Sequence, residues 1–347
     1  MVRVGMIGCG GMGSFHGPVL AKLPNVRIVG TCDLVEEKAR SMAEKVGVSR
    51  WCTDYRELLD DVDAVWVCTE PFNRVDVVTA SAAAGKHIFT EKPICNTLEG
   101  ADRMVRAAEK AGVKYMLGYC LRFWQPYRIL HDTFASGELG ELVSTWMRRF
   151  MPWDASNLWY GWQEKSGGAM LDFGSHDVDW LRWIGGDVKT VFGKTSRVRG
   201  TTHADEHGAA IMVFQRGGFA SVEDSWSSCL TESSIGIVGT KGAMIVGLDG
   251  KVRKKVGYAG QEETVDVEAA MAIDPKGNVG TRDGKQGIRA VAARNESIQE
   301  HFFRCIEEDC PPLTPAREGR KTLATIEALW RSNRSGAAVE VAAAGES

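Results

Sequence analysis

The first 118 residues alternate short apolar runs with stretches of helical periodicity. The apolar runs cover residues 2–7, 26–32, 64–68, 87–89 and 114–117. The helical stretches include residues 36–46, 75–84 and 98–111. Strands that alternate with helices in this way build right-handed βαβ units on a parallel sheet. The pattern therefore predicts a doubly wound α/β domain over residues 1–120.

Beyond residue 120 the pattern changes, because strand-like runs follow one another with few helices between them. Helices are predicted near residues 127–135 and 168–183. Strands are predicted at 143–150, 188–199, 209–215, 219–226, 233–238, 244–246 and 264–267. Glycine-containing turns separate several of these runs, which favours antiparallel pairing. The segment 121–347 is thus predicted to be an α+β domain with a large, mostly antiparallel open sheet. Its last two helices, near 288–308 and 317–332, are free to pack back on the first domain.

Composition narrows the class of protein. The 347 residues carry a formal net charge of −3, so no basic field favours nucleic acid as a partner. The nine cysteines include no C-x-x-C pair, and they indicate reduced thiols in a cytoplasmic protein. The chain opens directly on a strand pattern rather than a signal peptide, and no apolar stretch has the roughly 20 residues that span a bilayer. We expect no membrane partner.

A glycine motif follows the first predicted strand and opens a helix. Gly8, Gly10 and Gly13 fit G-x-G-x-x-G, with Gly11 and Met12 between them. In a Rossmann-type domain the first glycine makes the tight turn, the second admits the pyrophosphate, and the third lets helix and strand pack closely. The helix N-terminus then offers N–H groups and partial positive charge to the phosphates. These five residues are predicted to bind a dinucleotide.

Asp33 ends the second predicted strand, 20 residues after Gly13. A carboxylate at this place accepts hydrogen bonds from the adenosine ribose hydroxyls and repels a 2′-phosphate, so NAD is favoured. The alternative is that Asp33 caps the following helix while Lys38 or Arg40 holds the 2′-phosphate of NADP. Thr69, Glu91 and Lys92 follow later strands and complete the predicted cofactor contacts.

Two segments carry polar residues suited to proton transfer. Lys92 follows the fifth strand, at the sheet edge that faces ligands in such domains. Asp172 and His176 are four residues apart in the helix predicted over 168–183, so they share one face. The glycines at the start and in the middle of this segment, Gly167, Gly168 and Gly174, are expected to open space around it.

Together these segments resemble the Gfo/Idh/MocA family. The matching pieces are the glycine motif, Glu91-Lys92-Pro93, and the run Gly-Gly-x-x-x-Asp-x-Gly-x-His-x-x-Asp that ends at Asp179. The resemblance implies a Rossmann domain, an α+β domain, and homodimers or homotetramers that associate through the C-terminal sheet. It also implies reversible oxidation of a secondary alcohol on a sugar or cyclitol, with no metal. Lys92, Asp172 and His176 match the family's catalytic group.

The implied reaction needs a base for the hydroxyl proton and a donor for the developing alkoxide. His176 is the favoured base, because histidine ordinarily titrates near neutral pH. Lys92 then donates to the oxygen, and Asp172 orients the imidazole or binds a neighbouring hydroxyl. The opposite assignment, with Lys92 as the base, stays open.

Substrate contacts are predicted around the domain junction and in a tryptophan-rich loop. The candidates besides Asp172 and His176 are Tyr119, Arg122, Asn157, Trp159 and Trp162. Aromatic faces suit the C–H faces of a sugar ring, although aromatic clusters also serve packing and interfaces.

The leading hypothesis is therefore an NAD(P)-dependent oxidoreductase that interconverts a secondary alcohol and a ketone on a sugar, sugar derivative or inositol. Two alternatives stay open: an NAD-dependent glycoside hydrolase on the same scaffold, and a non-catalytic dinucleotide-binding sensor or regulator. The substrate itself and the direction used in the cell do not follow from the sequence.

Overall fold

The computed structural model describes residues 1–156, 158–267 and 296–343. The described residues form two compact units. The first unit contains residues 1–119 and 296–323, and the second contains residues 120–156, 158–267 and 324–343.

A six-stranded parallel sheet forms the centre of the first unit. Its strands are β1 (Val2–Ile7), β2 (Val26–Cys32), β3 (Trp51–Cys52), β4 (Ala64–Val67), β5 (His87–Thr90) and β6 (Tyr115–Leu117). They lie in the order β3-β2-β1-β4-β5-β6, and all pairs are parallel. The predicted Rossmann-type sheet is confirmed. The sequence pattern missed β3, because two residues are too few to show a period.

Helices connect these strands. They are α1 (Gly11–Leu20), α2 (Glu36–Val46), α3 (Arg56–Leu59), α4 (Arg74–Ala83) and α5 (Leu98–Ala111). All four residues of β4 are buried, as expected for a central parallel strand with both faces covered. Trp66 of this strand stacks on Phe89 of β5 with ring centroids 3.6 Å apart. The core of the first unit therefore lies on both faces of the sheet.

The second unit is built on a nine-stranded sheet. It begins with α6 (Gln125–Ala135), β7 (Leu142–Phe150), α7 (Gln163–Ser166), α8 (Gly168–Asp172) and α9 (Ser175–Gly185). Seven strands follow: β8 (Val188–Ser196), β9 (His207–Phe214), β10 (Phe219–Ser225), β11 (Glu232–Gly239), β12 (Gly242–Val246), β13 (Val252–Val256) and β14 (Glu263–Val265). The last strand, β15 (Val339–Glu340), pairs with β8 at one edge.

The order of this sheet is β14-β13-β12-β11-β7-β10-β9-β8-β15. Among the described strands of this second sheet, only β7 and β10 pair in parallel, which confirms the mostly antiparallel prediction. Burial alternates along β8 and β9, so one face of the sheet is covered and the other is open. The sequence pattern missed β13, in which Arg253, Lys254 and Lys255 interrupt the apolar alternation, and the two-residue β15.

The single helix predicted over 168–183 is wrong. The structure has two helices, α8 and α9, separated by Phe173 and Gly174. The Gly174 N–H bypasses the usual acceptor four residues back and donates to the carbonyl of Ala169, five residues back, at 2.9 Å. Apolar periodicity continues across this wide turn, so it did not reveal the break.

Two helices close the described chain, α10 (Ile298–Glu307) and α11 (Ala316–Ser335). The predicted start of α10 near residue 288 lies outside the described residues. Within them α10 begins after Ser297, whose hydroxyl accepts the Glu300 N–H while the Glu300 carboxylate accepts the Ser297 N–H. None of the described helices is long and apolar enough to cross a membrane.

Candidate active site

The glycine turn between β1 and α1 is shaped by close backbone approach. Gly8 has a φ of +90°, and a Cβ there would lie 2.7 Å from the Thr69 nitrogen. A Cβ on Gly13 would lie 2.2 Å from the Gly8 carbonyl oxygen. In contrast, nothing lies within 4 Å of a Cβ built on Gly10 or Gly11. Backbone atoms therefore fill the space beside Gly8 and Gly13, whereas the space beside Gly10 and Gly11 is open and can admit a pyrophosphate.

The Asp33 carboxylate is held in place by this turn. Its Oδ2 accepts the Cys9 N–H at 2.8 Å, and its Oδ1 accepts the Val35 N–H at 2.9 Å. The N-cap of α2 is Val35, with no side-chain cap, so the alternative in which Asp33 caps this helix is wrong. Arg40, the alternative partner for a 2′-phosphate, instead pairs with Glu37. Leu34 is 85% exposed and carries no charge.

Thr69 and Met12 lie beside the same turn. The Thr69 hydroxyl is buried, yet it makes no hydrogen bond to any described residue. Met12 lies in the first turn of α1 and is exposed. An orphaned buried hydroxyl next to an open, glycine-lined turn fits a polar ligand, so the residues present here agree with the predicted dinucleotide site.

Lys92 is anchored through its backbone to a buried polar chain. Its N–H donates to Glu91 Oε2 at 3.1 Å, and Glu91 Oε1 lies 2.8 Å from His16 Nε2. The other ring nitrogen of His16 lies 3.0 Å from the Gln299 amide nitrogen. Because the amide donates to Nδ1, the proton of His16 sits on Nε2 and is donated to Glu91. Glu91 was predicted to contact the cofactor; its carboxylate is buried and bonds to His16 and to Lys92.

Arg74, which was not predicted as a site residue, hydrogen-bonds to the backbone of the loop that carries Lys92. Its guanidinium is 1% exposed and donates to the carbonyls of Glu91 and Pro93, on either side of Lys92. It also donates to the Thr69 carbonyl, so it connects the loops after β4 and β5. Burial lowers the pKa of Arg74. Arg74 therefore acts as a positioning residue for the backbone around Lys92 and Thr69.

In the second unit, Asp172 and His176 stand out by exposure. Every residue from Ser166 to Arg182 is buried except Asp172, Phe173 and His176, which are half-buried. The break between α8 and α9 lies between Asp172 and His176, so their spacing is not that of one continuous helix. His176 Nδ1 lies 4.0 Å from the Cys120 sulfur. Polar side chains that stay accessible in an otherwise buried segment are suited to contact a ligand.

Buried charges support the turn between these two residues. Arg149 Nε donates to Asp177 Oδ2 at 2.7 Å, and Arg149 Nη2 donates to the Phe173 carbonyl at 3.3 Å. Burial, and then the neighbouring Asp177 carboxylate, raises the pKa of Asp224 well above its usual value. A Cβ on Gly174 would lie 2.6 Å from Asp224 Oδ2. The space expected beside this glycine is therefore filled by Asp224.

The glycines at the start of α8 also meet protein atoms. A Cβ on Gly168 would lie 2.5 Å from the Asp205 carbonyl oxygen, which accepts the Ala169 N–H at 2.8 Å. A Cβ on Gly167 would lie 2.5 Å from Leu171 Cβ. The expectation that these glycines open space is wrong, because they admit close internal contacts.

The predicted substrate residues differ in accessibility. Arg122 is 4% exposed and forms a bidentate pair with the fully buried Asp179, at 2.8 Å from Nε and 2.7 Å from Nη2. This pair ties the turn Cys120–Phe123 to α9, so Arg122 is first of all a positioning residue. Tyr119, in the first unit, is 1% exposed.

The tryptophan-rich loop forms an aromatic cluster in the second unit. Trp159 stacks on Tyr160 with centroids 3.7 Å apart. Trp162 is 42% exposed and stacks on His203 at 4.4 Å. Asn157 lies outside the described residues. Packing therefore uses one face of Trp162, while part of its surface stays accessible.

Comparison with known proteins identifies the family. The family model "Oxidoreductase family, NAD-binding Rossmann fold" matches residues 2–119, and the model "GFO/IDH/MocA C-terminal domain" matches residues 127–245. The chain belongs to the Gfo/Idh/MocA family of NAD-binding oxidoreductases. This confirms the resemblance, the fold class and the NAD cofactor predicted from the sequence.

Among curated relatives, a myo-inositol 2-dehydrogenase of Thermotoga maritima is 34% identical, with 55% of this chain matched to 57% of that protein. A 1,5-anhydro-D-fructose reductase of Ensifer adhaerens is 28% identical, with 90% of this chain matched to 91% of that protein. A levoglucosan dehydrogenase, solved with NADH and L-sorbose, has a TM-score of 0.84 at 21% identity and covers 99% of both chains. At that identity the last similarity shows the fold alone.

The preference for NAD gives a first prediction. Leu34→Arg places a cation beside Asp33, and one charge-assisted hydrogen bond to a 2′-phosphate is worth about 1.5–3 kcal/mol. We expect the ratio of the Kd for NADH to the Kd for NADPH to rise by about tenfold, which is about 1.4 kcal/mol. Titration by nucleotide fluorescence measures both constants. Leu34→Gln is the uncharged control, and an equal shift in that variant would contradict the charge argument.

Arg74 gives a second prediction. Arg74→Met keeps the length of the side chain but leaves the buried carbonyls around Lys92 without their donor. We expect the free energy of unfolding to fall by about 3 kcal/mol, the worth of the charge-assisted hydrogen bonds that are lost. Urea unfolding followed by circular dichroism measures the change. Arg103→Met, at a half-exposed position on α5, is the matched control and should stay within about 0.5 kcal/mol of the wild type.

Proposed function

We propose that the protein is an NAD-dependent dehydrogenase that interconverts a secondary alcohol and a ketone on a sugar, sugar derivative or inositol. The observation that carries the proposal is the selective accessibility of Asp172 and His176 in a segment that is otherwise buried. A dinucleotide turn alone would also suit a sensor, but a sensor has no need for an accessible proton-transfer pair. The similarity to a myo-inositol 2-dehydrogenase and a 1,5-anhydro-D-fructose reductase supports a polyol-type substrate.

The reaction separates one alcohol into a hydride and a proton. NAD, held at the glycine turn and Asp33, would supply the hydride acceptor for the carbinol carbon. His176 takes the hydroxyl proton, because an imidazole accepts a proton readily near neutral pH. The Lys92 ammonium donates a hydrogen bond to the same oxygen as negative charge develops on it. Asp172 orients the imidazole or accepts a hydrogen bond from a neighbouring hydroxyl.

Further residues of the proposed site hold or orient the reacting groups. Gly8, Gly10, Gly11, Met12 and Gly13 would hold the pyrophosphate, and Asp33 would accept the ribose hydroxyls. Thr69 supplies a hydroxyl without a partner among the described residues. Trp159 and Trp162 are proposed to contact the substrate. Tyr119, which is 1% exposed, and Asn157 are proposed on their sequence positions alone. Arg122 acts through Asp179 on α9.

The open face of the nine-stranded sheet is the proposed contact between copies of this chain. Phe192, Ile211, Val213 and Phe219 are each more than two-fifths exposed and lie on β8, β9 and β10. Adjacent exposed apolar side chains on a flat sheet favour association. We expect a homodimer or homotetramer to cover this face.

A cytoplasmic location is proposed from the cysteines. All nine are free thiols, and five of them are buried. Unpaired cysteines in this number are typical of a reducing compartment.

The catalytic assignment gives a third prediction. Lys92→Met and His176→Asn should each lower kcat by about a hundred- to ten-thousand-fold on any active polyol, because each removes a proton-transfer or oxyanion contact. Absorbance at 340 nm follows the rate, and NADH fluorescence checks that the cofactor still binds. Lys110→Met, at an exposed position on α5, should leave kcat unchanged.

The same assay separates the alternatives. If both variants turned over polyols at the wild-type rate, the proposed roles would be wrong. Release of an aglycone from a glycoside without accumulation of NADH would instead support the glycoside hydrolase. To assign the base, the acidic limb of the kcat/KM profile is compared between the two variants: it should vanish in His176→Asn and persist in Lys92→Met.

The sheet contact gives a fourth prediction. Ile211→Glu adds a charge on β9, among the exposed apolar side chains of the open face, and should convert the oligomer to a monomer, because a carboxylate in an apolar contact is left without a partner. Light scattering coupled to gel filtration measures the mass. Leu248→Glu, in an exposed turn of the same unit, should keep the oligomer. A wild-type protein that is monomeric at micromolar concentration would contradict the proposal.

A further inference from the structure

The C-terminal end of α10 brings two cysteines together. The Cys310 N–H donates to the Cys305 carbonyl at 3.2 Å, across the residues that terminate the helix. Between them Asp309 has a φ of +48°, and it is the one non-glycine residue with positive φ in the described ranges. This is the Schellman arrangement, in which the second residue after the cap bonds back to the third residue from the helix end. Its side chains at these two positions face each other, and here both are thiols.

The two sulfurs have different surroundings. Cys310 is half-buried, and Arg304 Nη1 donates to its sulfur at 3.4 Å. Cys305 is fully buried, and its sulfur lies 3.4 Å from His301 Nε2. The Cys305 thiol donates to the Pro311 carbonyl at 3.6 Å, and the neighbouring Cys310 adds to the effect of burial in raising the pKa of Cys305. Thus one sulfur is accessible and lies beside a cation, and the other lies behind it against an imidazole.

His301 lies between the Cys305 sulfur and the Glu296 carboxylate. Its Nε2 accepts the Leu313 N–H at 2.9 Å, so this nitrogen carries the lone pair. Its Nδ1 lies 2.7 Å from Glu296 Oε1. Burial would raise the pKa of Glu296, but hydrogen bonds from Arg304 and His301 outweigh it and lower the pKa to about 2. Arg304 Nη2 lies 3.0 Å from the same Nδ1, so the imidazole is held between this guanidinium, Glu296 and the Cys305 sulfur.

The other buried cysteines of the first unit have no imidazole beside the sulfur among the described contacts, although Cys32 and Cys52 are partners in neighbouring strands. Burial raises the pKa of Cys9 and Cys305 to about 12 and that of Cys95 to about 11. A buried thiol with a raised pKa is a poor nucleophile unless a base lies beside it. Among these three, Cys305 has an imidazole in contact with its sulfur and a second cysteine hydrogen-bonded to its own carbonyl.

We propose that Cys305 and Cys310 form a redox-active dithiol that a hydroperoxide oxidises to an intramolecular disulfide. The Cys310 thiolate, beside Arg304, attacks the peroxide, so that a sulfur–oxygen bond forms, the oxygen–oxygen bond breaks and hydroxide leaves. Cys310 becomes a sulfenic acid. The Cys305 sulfur then attacks Cys310, the sulfur–sulfur bond forms, and the leaving hydroxide takes up the Cys305 proton and departs as water. The dithiol loses two electrons, and hydrogen peroxide is reduced to two waters.

This site lies wholly in the first unit and uses none of the residues assigned to alcohol oxidation. The proposal therefore stands or fails independently of the proposed function. A thiol such as dithiothreitol reverses the modification by exchange through a mixed disulfide.

Peptide mapping of the native, full-length protein tests the proposal. Cleavage after Arg304 and Arg317 yields one tryptic peptide, residues 305–317, that contains both cysteines. The protein is treated with hydrogen peroxide, quenched, unfolded in the presence of N-ethylmaleimide and digested. We expect this peptide to lose two hydrogens and take up no maleimide, and dithiothreitol to restore two maleimide sites. The peptides with Cys9 and Cys95 should remain fully alkylated.

Two single variants test the order of events. In Cys305→Ser, Cys310 should accumulate as a sulfenic acid that dimedone captures. In Cys310→Ser, Cys305 should stay reduced at the same peroxide concentration. Cys229→Ser, which removes an exposed thiol elsewhere, is the matched control and should form the disulfide at the wild-type rate. Thermal unfolding of each variant checks that the fold is retained.

Several results would overturn the proposal. One is a native peptide 305–317 that keeps two maleimide sites while Cys229 is oxidised. Another is a disulfide that forms only after the protein is unfolded. Capture of dimedone by Cys305 in the Cys310→Ser variant, at the rate seen for Cys310 in the other variant, would reverse the assigned roles.

Discussion

The buried carboxylate of Glu91 is the constraint on which the first unit depends. A carboxylate that is 7% exposed costs several kcal/mol unless hydrogen bonds replace its lost water. His16 of α1, the Lys92 N–H and, through His16, Gln299 of α10 supply this compensation. The requirement therefore joins the helix of the dinucleotide turn, the loop that carries Lys92 and a helix almost 300 positions along the chain. The loop keeps its conformation because a buried charge would otherwise lose its partners.

In the second unit, ion pairs compensate the cost of burying charged side chains. Arg122 with Asp179, and Arg149 with Asp177, fix the two sides of α9. Each removes a charge from water and gains a partner of opposite sign with directed hydrogen bonds. Asp172 and His176 are left half-buried above these pairs, at the break between α8 and α9. In both units the residues proposed for chemistry are accessible, and fully buried polar groups support the backbone that carries them. At the C-terminal end of α10, the hydrogen bond from the Cys310 N–H to the Cys305 carbonyl terminates the helix and also brings two cysteines close together.

Much of the fold was predictable because its signals are local. The strand and helix periods identified five of the six parallel strands, and the spacing of Gly8, Gly13 and Asp33 predicted a dinucleotide site whose residues the fold brings to one turn. Strands were not predicted where the hydrophobic period is too short or is interrupted, as in Trp51–Cys52 and Val252–Val256. The break at Gly174 was also not predicted, because a wide turn preserves apolar spacing. His16, Arg74 and Gln299 left no signal, since each is a common residue type whose partner is distant in sequence. For Arg74 the weak clue was a charged residue at the start of an otherwise apolar helix.

The sequence by itself determined the class of the protein: a glycine turn after a strand, an acidic residue at the end of the next strand, and a lysine, aspartate and histidine in family spacing. These features involve residues that are close in sequence. The conformational freedom of a glycine and the charge of an acidic or basic side chain act in the same way in most folds. Only the tertiary structure decided which polar residues are accessible and which are buried. Asp172 and Asp177 are both aspartates in the same segment, yet one is half-exposed and the other is paired with Arg149. The difference arises from desolvation, which depends on what packs around a side chain and not on its neighbours in sequence.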